Sequence, residues 1–182
     1  MVPREAFFTR GVGRHKERLQ SFEWALRQAG IAQYNLVRVS SIYPPGCRII
    51  SRNKGVAKLK PGEVVYAVLT DISTDERGRN IFAGTGLAVP ADGHSYGYIS
   101  EHHGYGMPAK EGADYVEDMA ASMLASTLGI RFDPETGYDQ RKEIYRMSGK
   151  IVHTSALVQT ATGGGGKAEQ WTTVVAAVVF VP

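Results

Sequence analysis

Asn35-Leu36-Val37-Arg38-Val39-Ser40-Ser41-Ile42-Tyr43-Pro44-Pro45 is the stretch on which the reading of this chain turns. Leu36, Val37 and Val39 predict a strand, because apolar and β-branched side chains suit a pleated surface, and Pro44 and Pro45 cannot donate to a ladder and must end it. A strand therefore runs directly into a serine pair. Ser40 and Ser41 fall at its frayed end, and the rigid Pro-Pro unit fixes the direction in which the chain leaves. From these residues alone two readings stay open, an ordinary polar turn after a strand and a junction that stores strain.

Upstream, Leu19, Phe22, Leu26 and Ala29 recur at helical spacing, and Gly30 stands where a left-handed cap is wanted, which predicts a helix over 15–29. Glu23 lies at the edge of that stripe, where a rim charge in solvent and a carboxylate aimed into a neighbouring site are both open. Residues 4–13 read as a short strand or arm followed by a turn. Downstream, 48–51 forms a short strand and 63–70, nearly continuously apolar, a strand buried on both faces. The polar stretch 71–80 reads as a hairpin loop that pairs this strand with 81–89 as antiparallel neighbours. Extended chain resumes over 96–100 and leads to Glu101-His102-His103-Gly104, polar residues at a strand end beside glycine. Ala113, Val116, Ala120, Met123, Leu124 and Thr127 predict a second helix over 108–129, with Pro108 at its first position. Residues 131–142 read as a polar connection, and 144–159 and 171–181 as two long strands joined by a flexible hairpin loop containing Gly163 to Gly166. That glycine run lacks the Lys-Ser/Thr of a phosphate cradle and is read as a turn.

Two helices and about seven strands in 182 residues predict one α+β domain, an antiparallel β-sheet sandwich with flanking helices in an αββα-like order. A net charge of +3, with Lys and Arg scattered along the chain, argues against a nucleic-acid partner. Cys47 is the sole cysteine, so the chain builds no internal disulfide and no multi-cysteine metal site. Neither a signal-peptide pattern at the N-terminus nor an apolar run of bilayer length is present, so the expectation is a cytoplasmic protein without a membrane partner.

Three chemistries compete. His102 and His103 are adjacent, so on a strand they point to opposite faces, and the His-Glu-x-x-His spacing of a helical zinc site is missing; no metal is expected. No Gly-x-Ser-x-Gly elbow supports a serine hydrolase. The third is self-processing at Ser40-Ser41. A serine hydroxyl can attack the carbonyl of the preceding residue when the peptide is bent out of plane, giving an ester that β-elimination then breaks. Distortion of a dozen degrees costs about 1 kcal/mol, and a strained strand end is where such a reaction can begin.

With Asn35 to Ile42 followed by Pro44-Pro45, a helix ending Ala29-Gly30-Ile31, and Glu101 at the end of a later strand, the chain resembles the pyruvoyl-dependent arginine decarboxylases over most of its length. The resemblance implies cleavage into a β chain, 1–40, and an α chain, 41–182, with Ser41 the precursor of a covalently bound pyruvoyl group and no pyridoxal phosphate. It implies decarboxylation of arginine to agmatine, a step of polyamine synthesis, through a Schiff base between substrate and pyruvoyl ketone. By the same resemblance Glu101 returns the proton to the substrate Cα, and Asn35, Leu26, Ser40 and Glu23 contact the substrate, Glu23 through its guanidinium. Glu23 departs from the family's archaeal pattern of aspartate by one methylene. This leaves open the same chemistry on another amino acid, or an uncleaved oligomeric binding protein without activity. Along a straight strand Asn35 and Ser41 stand roughly 20 Å apart, too far to share one substrate. The family's arrangement implies a homotrimer with sites between subunits.

Overall fold

The computed structural model describes residues 1–164 and 170–182. Among these the chain forms, in order, β1 (Glu5–His15), α1 (Arg18–Ala29), β2 (Asn35–Arg38), β3 (Ile42–Tyr43), β4 (Arg48–Ile49), α2 (Arg52–Val56), β5 (Val64–Thr74), β6 (Asn80–Pro90), β7 (Gly97–Tyr105), α3 (Ala109–Thr127), α4 (Tyr138–Met147), β8 (Ile151–Thr162) and β9 (Trp171–Val181). The strands build two sheets, one in the order β2-β5-β9-β1-β4 and one in the order β3-β7-β6-β8. The second is antiparallel throughout. The first is mixed, because β2 joins β5 and β4 joins β1 in parallel, which corrects the expectation of purely antiparallel sheets.

Buried side chains place the layers. Ala25, Ala29 and Ile31 pack with Val65, Ala67, Val175, Ala177 and Val179 on the outer face of the five-stranded sheet. Ala6, Val68, Val178 and Phe180 meet Leu87 and Ile99 between the sheets. Ala120, Ala121 and Leu124 of α3 cover the far side of the four-stranded sheet. The α+β expectation holds in the order helix, sheet, sheet, helix. β9 lies at the centre of its sheet and is buried from Thr172 to Val181, as a strand covered on both faces must be.

Both covering helices rest on strand glycines. A methyl group added at Gly13 meets the Ser21 carbonyl oxygen of α1 at 2.0 Å, and one added at Gly86 meets the Val116 carbonyl oxygen of α3 at 2.0 Å. The helices are in contact with bare strand backbone. This explains why the most deeply buried face of α1 is Ser21, Ala25 and Ala29, with Phe22 and Leu26 of the expected stripe packed at its side and Leu19 left 78% exposed. Gly30 does end α1, in a left-handed conformation, with its N–H bonded to the Arg27 carbonyl and that of Ile31 to Leu26. Gly86→Ala is expected to destabilise the fold by about 2–3 kcal/mol, since backbone has to move, lowering the melting temperature by roughly 4–10 °C. Gly137→Ala, whose methyl meets open space, is the control, with a shift of less than about 2 °C.

Several pairings differ from expectation. β5 and β6 are not a hairpin, and neither are β8 and β9; each pair divides between the two sheets, and β6 pairs instead with β7 and β8. The stretch 4–13, expected as a short strand or arm followed by a turn, is an eleven-residue strand paired along its whole length with β9. Residues 138–147, read partly as a connection and partly as strand, form α4. It docks on α3 through Arg141 paired with Asp118 and Lys142 paired with Glu117 at 2.9 Å. α2 was not expected at all. Of the Gly163 to Gly166 run, residues 165 and 166 lie outside the described residues. No helix among the described residues is long and apolar enough to cross a membrane.

Candidate active site

The serine pair sits where the chain leaves one sheet for the other. On one side the Val39 N–H donates to the Ala67 carbonyl of β5 at 3.1 Å, and on the other the Ile99 N–H of β7 donates to the Ser41 carbonyl at 2.8 Å. Ser40 alone separates these two anchors. Within the junction the Ile42 N–H donates to the Ser40 carbonyl at 2.9 Å, closing a three-residue turn centred on Ser41. The exit is fixed as the prolines suggest: the Cys47 N–H donates to the Pro44 carbonyl at 3.2 Å and the Tyr43 hydroxyl to the Cys47 carbonyl at 2.7 Å. Burial raises the Tyr43 phenol well above its usual range, in keeping with a permanent donor. The strand expected to fray at the serines does end there as β2, and a further two-residue strand, β3, follows before the prolines.

Ser40 is exposed and Ser41 half-buried. Ser40 lines a cavity of about 510 Å³ with Val39, Ile42, Pro44, Tyr66 and Phe180. Leu26 and Asn35 line a different cleft, of about 410 Å³, with Phe22 and Arg38. Glu23 lines a third, of about 500 Å³, with Arg27 and Gln33. Within one chain, therefore, Ser40, the pair Leu26 and Asn35, and Glu23 line three different cavities. The Asn35 amide donates to the Gly62 carbonyl at 2.7 Å, which fixes the side chain at the start of β2. The Glu23 carboxylate is 39% exposed and accepts from Arg27 Nε at 2.6 Å one helical turn on. Arg27 also lies over the Trp24 ring, 5.9 Å from its centroid.

Glu101 belongs to β7, two residues beyond Ile99, so both side chains project from the same face of the strand, the one toward the five-stranded sheet. His103 continues that face and its Nδ1 lies 3.0 Å from the Thr70 hydroxyl of β5. Thr85, opposite Glu101 in the ladder, is buried with a hydroxyl that has no hydrogen-bond partner among the described residues. His102 takes the other face, with its ring 4.7 Å from that of Tyr115 on α3. The two histidines diverge as strand geometry requires, and no group of three or more His, Cys, Asp or Glu among the described residues is arranged to hold a metal.

Glu101 stands exposed on β7, and partial loss of water around its carboxyl raises it above the usual carboxylate range, against the opposing pull of Arg38 and His103. Arg38 is itself paired with Asp71 of β5. A carboxyl biased toward its neutral form is suited to delivering a proton. Arg38, Asp71, Thr70 and Thr85 were not anticipated around Glu101. The one signal for them in sequence was a charged residue inside an apolar strand, two positions before the serines.

The profile of a protein family described as pyruvoyl-dependent arginine decarboxylase (PvlArgDC) matches residues 5–182. Over 181 residues the chain is 52% identical to a Chlorobaculum tepidum protein named probable pyruvoyl-dependent arginine decarboxylase, an alignment that covers 100% of this chain and 98% of that relative. A Chloroherpeton thalassium protein of the same name is also 52% identical, with the same coverage. A Methanosarcina mazei protein named pyruvoyl-dependent arginine decarboxylase 2 is 51% identical, again over 100% of this chain and 98% of its own length.

Proposed function

The chain belongs to the pyruvoyl-dependent arginine decarboxylase family, and from that premise we propose that it cleaves itself between Ser40 and Ser41 and decarboxylates L-arginine to agmatine in the cytoplasm. The observation that carries the reading is the junction itself: a serine whose preceding carbonyl is already hydrogen-bonded, on a short span between two fixed sheets. Residues 1–40 are then the β chain and 41–182 the α chain of one domain. The residues at the junction fit a pyruvoyl group derived from Ser41, because position 41 stays anchored by its own carbonyl to the Ile99 N–H after the bond before it is gone. When formed, that ketone supplies the electron sink for loss of carbon dioxide from an α-amino acid.

The chain's own residues supply the rest. Glu101 holds a proton for the substrate Cα, and its raised affinity for that proton supports the role. Ser40 contacts the substrate in its own subunit. Asn35, Leu26 and Glu23 line cavities apart from Ser40, and this separation supports their service to a neighbour's Ser41 in a trimer. Glu23 offers a carboxylate to the substrate guanidinium through its free oxygen. A second reading, the same chemistry on a shorter or simpler cation, is favoured by one observation: Glu23 already holds the guanidinium of Arg27.

Denaturing mass spectrometry is expected to find two fragments meeting at the 40/41 bond, the larger with a carbonyl-blocked N-terminus. Turnover of arginine is expected to exceed that of lysine, ornithine, histidine and aspartate by at least about tenfold, a difference of about 1.4 kcal/mol at the barrier. A single full-length species overturns the enzyme reading in favour of a binding protein; two fragments with another preferred amino acid overturn only the substrate.

A further inference from the structure

We propose that the backbone N–H of Ile42 is the oxyanion donor of the self-cleavage reaction. The inference rests on the Ser40-Ser41 cleavage proposed above and goes beyond it by assigning the group that stabilises the charge. Its basis is the three-residue turn at the junction. In the intact chain the Ile42 N–H already lies 2.9 Å from the Ser40 carbonyl oxygen, the oxygen that becomes negative when the next hydroxyl attacks. Among the described residues no residue other than glycine has a positive φ, so the turn around Ser41 is the inverse form, with a negative φ, and not the mirror form.

The step balances within the junction. Ser41 Oγ adds to the Ser40 carbonyl carbon, and the carbonyl π pair moves onto the Ser40 oxygen, toward which the Ile42 N–H points. The hydroxyl proton passes to the Ser41 nitrogen. As the oxyanion collapses the C–N bond breaks, leaving an ester between the Ser40 carbonyl and Ser41 Oγ and a free amine on residue 41. A hydrogen bond to an anionic oxygen is roughly twice as strong as one to a neutral carbonyl, so the same N–H stabilises the tetrahedral state more than the ground state. The anchors on either side do different work. Val39 on Ala67 and Ile99 on Ser41 fix the span, and neither reaches the attacked oxygen.

The test replaces one amide at a time by an ester in the full chain, through translation with the matching α-hydroxy acid. An ester at Ile42 deletes the proposed donor and keeps the side chain. An ester at Val39 deletes one backbone hydrogen bond on the other side of the junction, and serves as a matched control for loosening. Melting temperatures within a few degrees of each other establish that both fold. Loss of a single oxyanion donor costs about 10²–10³ in rate. The half-time for appearance of the two fragments, read by intact mass, is therefore expected to lengthen by about that factor for the Ile42 ester and by less than about fivefold for the Val39 ester. Equal slowing of both, or cleavage of the Ile42 ester at the control's rate, overturns the assignment and leaves the cleavage reading intact. An all-amide parent that never gives fragments overturns both.

Discussion

Ser41→Ala is expected to leave one uncut chain of 182 residues, correctly folded and without decarboxylase activity, where the parent gives two fragments. The substitution deletes the hydroxyl that attacks and nothing that holds the junction together: the bonds from Val39 to Ala67, Ile42 to Ser40 and Ile99 to Ser41 are all made by backbone. Removing one half-buried hydroxyl changes stability by less than about 1 kcal/mol, so loss of cleavage is separable from loss of fold. Ser40→Ala is the informative companion. Its carbonyl is the electrophile and its side chain is not the nucleophile, so this variant still cuts, and its defect lies in the later reaction with substrate. Denaturing mass spectrometry reads both outcomes. Cleavage of Ser41→Ala at the same bond would sink the mechanism. On native gel filtration the cut parent is expected to run as one species, because residues 1–40 contribute β1 between β9 and β4, α1 above them and β2 at the sheet edge. The eleven-residue pairing of β1 with β9 holds whether or not the 40/41 bond is intact.

The parts of this arrangement legible in sequence were those set by local chemistry. Gly30 as a left-handed cap, prolines as a strand stop and the divergence of His102 from His103 each follow from the stereochemistry of one or two residues. Burial faces were harder. Of the stripe Leu19, Phe22, Leu26, Ala29, all but Leu19 pack on the core, yet the most deeply buried face is Ser21, Ala25, Ala29, because the surface it meets is bare backbone at Gly11 and Gly13, where only small side chains fit. The full length of β1 is hidden in sequence because those glycines, together with Arg10 and Arg14, break the apolar pattern. Arg10 spends its charge on the Val158 carbonyl of β8 at 2.7 Å and Arg14 on that of Thr162, covering the free edge of the other sheet. α4 escaped notice because ion pairs to Asp118 and Glu117 carry much of its docking, in place of a wide apolar stripe. Strand partners failed for a global reason. Neighbours in sequence usually pair in space, and here the chain changes sheet after β5 and again after β8. The same change of sheet, made abruptly between β2 and β3, is what suspends the serine pair.

Glu101→Gln is expected to cut normally at 40/41 and to lose decarboxylation by about 10²–10⁴, the usual worth of a positioned general acid. Glutamine preserves the shape and the place on β7, so the Ile99 N–H two residues before it still holds Ser41, and the junction reacts as in the parent. It cannot give up an acid proton, so the step that returns hydrogen to the substrate Cα fails. The pH dependence has a definite sign. Activity requires Glu101 protonated and falls as pH rises through its pKa, which partial loss of water has moved up and Arg38 and His103 pull down. His103→Gln removes one of the two groups that pull it down, so the alkaline limb of kcat is expected to move to higher pH, whereas a merely structural loss lowers the whole profile without moving the limb. Mixing variants tests where the site is built. Co-expressed Glu101→Gln and Asn35→Ala chains, each nearly inactive alone, are expected to recover about a quarter of parental activity, because in a cyclic trimer with sites between subunits about that fraction pairs an intact Glu101 with a neighbour's intact Asn35. Recovery no greater than the sum of the separate variants places Asn35 and Glu101 in one subunit's site and removes the reason for an intersubunit assembly.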